Sequence, residues 1–158
     1  KFLTKVTKNN RIERMRQNEA NSTYWPKLDT NLHGYLNWDW SVKDIEIFIH
    51  AFDKPHPGAI TYYEGKKVHL TKCKLVKEKI KFHPFQNGLV FRIYKKNIHI
   101  AATGGCITIA NVLDDKGNDI TKIIRLGHRF VTPISMLDKA KILRSTYSDE
   151  EKKYSNSV

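Results

Sequence analysis

The apolar positions of this chain repeat with two different periods, and the change between them divides the sequence. Ile45, Phe48, Ile49 and Phe52 recur at helical spacing, with Lys43, Glu46 and His50 left for the other side, which predicts a short amphipathic helix. Ser41 stands as its N-cap with Asp44 three residues on, a capping-box arrangement that satisfies orphan backbone N–H groups and contributes roughly 1 kcal/mol. Pro55 and Pro57 end the helix, since each removes a donor and restricts the residue before it, and Gly58 frees the backbone to turn. From Lys66 the period falls to two: Val68 and Leu70 point one way, and Lys67, His69 and Thr71 the other. Leu89 to Tyr94 is dense in β-formers, Ile98 and Ile100 flank His99, and a further strand runs from Ile107 to Val112. The turns Lys95-Lys96-Asn97 and Thr103-Gly104-Gly105 space these strands as a meander or small barrel rather than as βαβ units. A last helix is predicted near Ile134 to Leu143, apolar at Ile134, Leu137 and Ile142. The pattern is mainly β with two or three short helices and no internal repeat.

Composition bounds this picture. With 158 residues and 40% hydrophobic content, the chain can bury one core and leaves no room for a second full-sized domain. No apolar run approaches the roughly 18 residues needed to cross a bilayer, and no signal-peptide pattern is present, so a cytoplasmic protein with no membrane partner is expected. Cys73 and Cys106 fit neither a redox motif nor a zinc spacing, and the seven histidines include no pair with ligand spacing. Two reduced core thiols and no metal are expected. Asp114-Asp115-Lys116-Gly117-Asn118-Asp119 has a faint likeness to a calcium loop but lacks the glutamate at the twelfth position, and reads as a solvated turn.

Charge adds the first functional question. The formal charge is +12, and Lys66, Lys67, Lys72, Lys74, Lys77, Lys79 and Lys81 crowd a stretch holding only Glu64 and Glu78. Lys72 and Lys74 are expected on one strand face, with Arg92, Lys95 and Lys96 on or beside the next hairpin. Lys66, Lys67, Lys72, Lys74 and Arg92 are therefore the candidate phosphate-binding patch. The alternative, that these lysines merely solvate a sheet, stays open.

One block carries a family signature. Leu36-Asn37-Trp38, His50-Ala51-Phe52, Pro55-His56-Pro57-Gly58-Ala59 and the turn Glu64-Gly65 follow in order. This resembles the opening of the C-terminal domain of the 10-formyltetrahydrofolate-dependent formyltransferases: an Ile-Asp-Trp start, a helix ending in Arg-Ala, Pro-x-Pro-Gly-Ala and a Gly-centred hairpin. Asn37 stands where Asp is usual and His50 where Arg is usual. Upstream, Gln17-Asn18-Glu19-Ala20 and Ser22-Thr23-Tyr24-Trp25-Pro26-Lys27 resemble the linker that follows the catalytic domain. Downstream, His83-Pro84-Phe85-Gln86, Gly127-His128-Arg129-Phe130 and Thr132-Pro133 are similar to members that formylate nucleotide-linked amino sugars, with His128 where Asp is commoner. The resemblance covers about residues 12 to 142.

The resemblance implies a small open OB-like β-barrel over residues 37–144. Residues 1–36 would be the end of a catalytic-domain helix and the inter-domain linker, and 145–158 a charged tail without fixed structure. Lys1 in place of Met, with Phe2, Leu3 and Val6 at helical spacing, agrees with a chain that continues a longer enzyme. That parent would move a formyl group from 10-formyltetrahydrofolate to a primary amine, with the cofactor bound mainly by the N-terminal formyltransferase domain. The family's catalytic Asn, His and Asp are expected upstream of Lys1. Asn31-Leu32-His33 and Asn97-Ile98-His99 lack the Ser-Leu-Leu-Pro context that follows the family's Asn-x-His, so no catalytic residue is assigned here and whether the chain is itself an enzyme stays open.

Tyr24, Trp25 and Lys27 are implied as linker contacts to substrate or folate, with packing against the catalytic domain as the alternative. Trp38 and Trp40 read as packing anchors, and Arg129 as the partner of an acidic residue or of a phosphate. Three functional readings follow. In the preferred one the parent formylates a nucleotide-linked amino sugar and this barrel is structural or forms a homodimer. In the second the parent is a methionyl-tRNA formyltransferase and the lysines hold initiator tRNA. In the third the domain is a stand-alone nucleic-acid-binding module.

Overall fold

A computed structural model, describing residues 16, 18–23, 26–77, 80–145 and 154–156, turns the two periods into two kinds of element. The short helix α1 (Thr30–His33) precedes α2 (Val42–Ala51). Strands β1 (Ala59–Tyr63), β2 (Lys66–Leu75), β3 (Val90–Tyr94), β4 (Asn97–Ala102), β5 (Gly105–Asp114) and β6 (Phe130–Val131) then form one six-stranded antiparallel sheet, in the order β3-β4-β5-β2-β1-β6. Helix α3 (Ile134–Ile142) follows, and β7 (Leu143–Ser145) pairs with β8 (Tyr154–Asn156).

Helix α2 forms for the reasons its sequence suggests. The Ser41 hydroxyl accepts the Asp44 N–H at 3.3 Å and donates to Asp44 Oδ2 at 2.6 Å. The carboxylate thus holds the capping hydroxyl in place. Val42, Ile45, Ile49 and Phe52 are buried, and Phe48 packs on Phe52 with ring centroids 4.7 Å apart. Glu46 Oε1 accepts the Leu75 N–H at 2.7 Å, which ties the helix to the far end of β2.

The sheet curls until its two outermost strands meet. Phe130 N–H donates to Gly88 O at 2.9 Å, Val90 N–H to His128 O at 2.9 Å, and Gly127 N–H to Val90 O at 2.8 Å. These bonds join the start of β3 to β6, so the six strands make a half-barrel sewn shut at one end. The seam needs a glycine: Gly88 has φ +79°, and a Cβ there would lie 2.2 Å from the Phe130 carbonyl oxygen. Inside, Leu70, Ile98, Ile100, Ile107, Ile109 and Phe130 are fully buried. Trp38 closes the core from the α2 side, stacked on Phe130 with centroids 6.0 Å apart and an interplanar angle of 24°. Its Nε1–H donates to Thr61 Oγ1 at 2.9 Å, and that hydroxyl lies 3.0 Å from Thr132 Oγ1. The indole is thereby anchored at both its apolar body and its polar tip.

Three features depart from the sequence expectation. His69 and Thr71 are buried, although their alternation places them outward. Gly58 lies against both of them, and the Asp115 carboxylate reaches His69 Nε2 at 3.2 Å, so this face is covered as well. The apolar positions of α3 are largely uncovered, with Ile134 75% exposed and Ile142 53%. Part of the tail expected to lack structure is strand β8, whose pairing satisfies backbone groups of Leu143–Ser145 beyond the end of α3. Beside it, His33 Nδ1 accepts the Asp29 N–H at 2.8 Å, which leaves Nε2–H to donate to Leu143 O at 3.0 Å.

Candidate functional site

The basic residues occupy two places. On the outer face of the half-barrel, strand register sets Arg92 opposite His99, His99 opposite Thr108, and Thr108 opposite Lys74. One row thus crosses β3, β4, β5 and β2, and at about 4.8 Å per strand it spans roughly 14 Å from Arg92 to Lys74. Lys72 stands two residues along β2 and is exposed like Lys74, with buried Cys73 between them. Lys72 takes φ +55° and its N–H donates to Asp53 Oδ2 at 2.8 Å, so the strand kinks where the lysine is displayed. Lys66 and Lys67 lie at the other end of β2, about 20 Å away at ~3.3 Å per residue. Lys67 is paired there with Asp115 at 3.0 Å.

Sequence reading passed over Tyr94. It lies on the same side of β3 as Arg92, is 59% exposed, and has Lys95 Nζ 5.3 Å from its ring centroid. The signal was available in the period-two pattern, which puts residues 92 and 94 together. An exposed tyrosine flanked by cations is a platform on which an unpaired base can stack.

A second feature lies at the sewn end. The turn Pro84–Gln86 is fixed by a reciprocal cap: His83 N–H donates to Gln86 Oε1 at 2.9 Å and Phe85 N–H to His83 Nδ1 at 3.2 Å. It presents Phe85 with 76% of its surface exposed. The Arg129 guanidinium sits 5.0 Å from the Phe85 ring centroid, and among the described residues no carboxylate pairs with it. The ion pair expected for Arg129 is replaced by this cation–π contact. Beside the pair is a cavity of about 220 Å³ whose walls include Asn37, Trp38, Asp39, Phe85 and Arg129. Three stretches separate in sequence, Asn37–Asp39, Pro84–Asn87 and Arg129–Thr132, converge on it.

Tyr24 and Trp25 lie outside the described residues, and Lys27 is exposed. His33 is engaged at both ring nitrogens, and His99 lies half-buried beside Phe91 at 6.0 Å. Asp114 Oδ1 accepts the N–H groups of Lys116 and Asn118 at 2.9 and 2.8 Å, so this carboxylate closes its own turn. Among the described residues no group of three or more His, Cys, Asp or Glu could hold a metal ion, and no helix is long and apolar enough to cross a membrane. Lys67, and after it His69 at 3.2 Å, holds the Asp115 carboxyl below its usual range. Burial, aided by the carboxylates of Glu46 and Asp53, pushes the Cys73 thiol up to about 12.

The fold is a small OB-like half-barrel with a cationic sheet face and, at its sewn end, a cavity beside Phe85 and Arg129. Residues 30–123 match the model of the formyl transferase C-terminal domain, and the chain belongs to that family. It is 34% identical over 107 residues to a methionyl-tRNA formyltransferase of Coxiella burnetii (strain CbuK_Q154), covering 68% of this chain and 32% of the relative. A methionyl-tRNA formyltransferase of Alkaliphilus oremlandii (strain OhILAs) is 29% identical over 138 residues, covering 87% and 41%. The chain therefore spans about a third of the length of the first of these and somewhat more of the second. Among solved structures, HypX from Aquifex aeolicus shares the fold with a TM-score of 0.54 at 19% identity, over 74% of this chain and 20% of HypX. HypX in complex with tetrahydrofolic acid superposes with a TM-score of 0.51 at 20% identity, over 75% and 20%.

Proposed function

We propose that this domain is the tRNA-binding part of a methionyl-tRNA formyltransferase. Both sequence relatives described above carry that name, which favours this reading over the amino-sugar one preferred from the motifs. The observation that carries it is the row from Arg92 to Lys74, flanked by Lys72 and Tyr94, on the open face of the half-barrel. Phosphate contacts from such a face supply affinity without reading sequence, and an exposed aromatic adds stacking. The parent would transfer a formyl group from 10-formyltetrahydrofolate, held with the catalytic Asn, His and Asp by an N-terminal domain. A cytoplasmic location goes with that role.

Binding of the chain to initiator tRNA across a salt series tests this. Affinity should fall with salt at a slope of about −0.9 per duplex phosphate neutralised. Lys72→Glu with Lys74→Glu should weaken binding and lower the slope by about two contacts. Unchanged affinity and slope in the double variant would leave the lysines as solvated surface. The amino-sugar reading keeps one observation in its favour: the segments that resemble those enzymes, around Phe85 and Arg129, meet at one cavity. Tight binding of a nucleotide-linked amino sugar, with none of tRNA at physiological salt, would select it.

A further inference from the structure

We infer that the cavity beside the Pro84–Gln86 turn is a nucleotide-binding site, with a base stacked on the free face of Phe85 and its phosphate held by Arg129. The inference stands apart from the lysine face, which lies on β2 to β5, whereas this cavity is bounded by β6, the Phe85 turn and the stretch before α2.

Four observations carry it. Phe85 is the most exposed large apolar side chain among the described residues, yet two hydrogen bonds pin the turn that displays it. Folding gains little from an aromatic ring in that position, while a stacking ligand gains a platform already ordered. Arg129 covers one side of the ring at 5.0 Å and has no carboxylate partner among the described residues. Its forked N–H donors are therefore available to a phosphate, which they match geometrically. The cavity holds about 220 Å³, which suits a single ring system rather than the drug-sized ligands of roughly 300–1,000 Å³ pockets.

The polar groups at the wall divide in the same sense. Asn87 is committed to Thr103 at 3.0 Å, and Thr132 to Thr61 at 3.0 Å. Asn37 Oδ1 accepts the Asp39 N–H at 2.9 Å, which leaves the Asn37 amide N–H₂ and the exposed Asp39 carboxylate to meet donors and acceptors on a base edge. A nucleotide is the ligand class that combines a stacking ring, a hydrogen-bonding edge and one anionic group. Two sources could supply it, a nucleotide-linked sugar and an unpaired nucleotide of RNA.

The test is titration of the ¹⁵N-labelled full chain with cytidine monophosphate, with cytidine and inorganic phosphate as controls. Saturable amide shifts at Asn37–Asp39, Phe85–Asn87 and Arg129–Thr132, with tighter binding of the monophosphate than of either control, are expected. Phe85→Ala, an exposed position that leaves the core intact, should weaken binding roughly five- to a hundredfold. Arg129→Gln should remove the advantage of the monophosphate over the nucleoside. Lys72→Glu with Lys74→Glu should leave this titration unchanged even where it abolishes tRNA binding, so the two proposals fail separately. No saturable shift overturns the site, and so does a shift that survives both Phe85→Ala and Arg129→Gln in chains whose other resonances are unmoved. A nucleoside-diphosphate hexose and a single-stranded ribotrinucleotide then identify the source, as whichever binds more tightly than the monophosphate.

Discussion

Trp38 shows how much of a residue's role its type alone determines. The sequence reading of an anchor rather than a ligand platform matches its buried ring against Phe130, but the bond from its Nε1–H to Thr61 required a tertiary partner 23 residues away. Trp38→Phe should cost about 1–3 kcal/mol in urea unfolding, because a buried hydrogen bond is lost. Cys73, read as an inert core thiol, has its pKa pushed up to about 12. It should resist alkylation at pH 8 in the folded chain and react once the chain is unfolded. Asp115 was legible only as part of a turn, because its partners Lys67 and His69 come from another strand. Its folded pKa lies below the ordinary value near 3.9, so its contribution is present above that pH and disappears as pH falls through the folded value. The stability difference between the native chain and Asp115→Asn should therefore narrow as pH falls from about 6 through the carboxylate range, and a gap that does not narrow on acidification would contradict the assignment.

At the scale of elements, helix α2 and the strand meander were legible because period and caps depend on neighbouring residues. What escaped was the covering of a second face, as with His69 and Thr71, since Gly58 and Asp115 reach them from turns outside β2. The β3–β4 turn was legible in place but not in geometry. Lys95 and Lys96 have φ +46° and +66°, a pair of left-handed residues in a two-residue hairpin turn that Asn-Gly fills with less strain. Lys95→Asn with Lys96→Gly should stabilise the domain by about 1–2 kcal/mol, read as a shift in denaturation midpoint. Because it also removes two cations beside Tyr94, a concurrent loss of RNA affinity would extend the cationic face onto this hairpin.

For the whole molecule, family resemblance supplied the barrel, since no local pattern states that β3 and β6 meet. The seam at Gly88 is the feature on which that closure rests. Gly88→Ala should cost more than about 2 kcal/mol, combining the left-handed penalty with the collision against Phe130 O, and should speed hydrogen exchange at Val90 and Phe130 ahead of the rest of the sheet. The candidate sites divide in the same way. The lysines were visible as a run, but the separation of Lys72 and Lys74 from Lys66 and the Asp115-paired Lys67 at the far hairpin follows from register and from Asp115. The meeting of Phe85 with Arg129 joins positions 44 residues apart through the seam, which no spacing rule foretells. One consequence concerns inheritance rather than chemistry. Since His33 touches Leu143, the polypeptide passes into and out of the barrel at almost one point. A unit arranged so can be spliced into a longer chain without prising its neighbours apart, and the same fold occupies a fifth of the HypX chain.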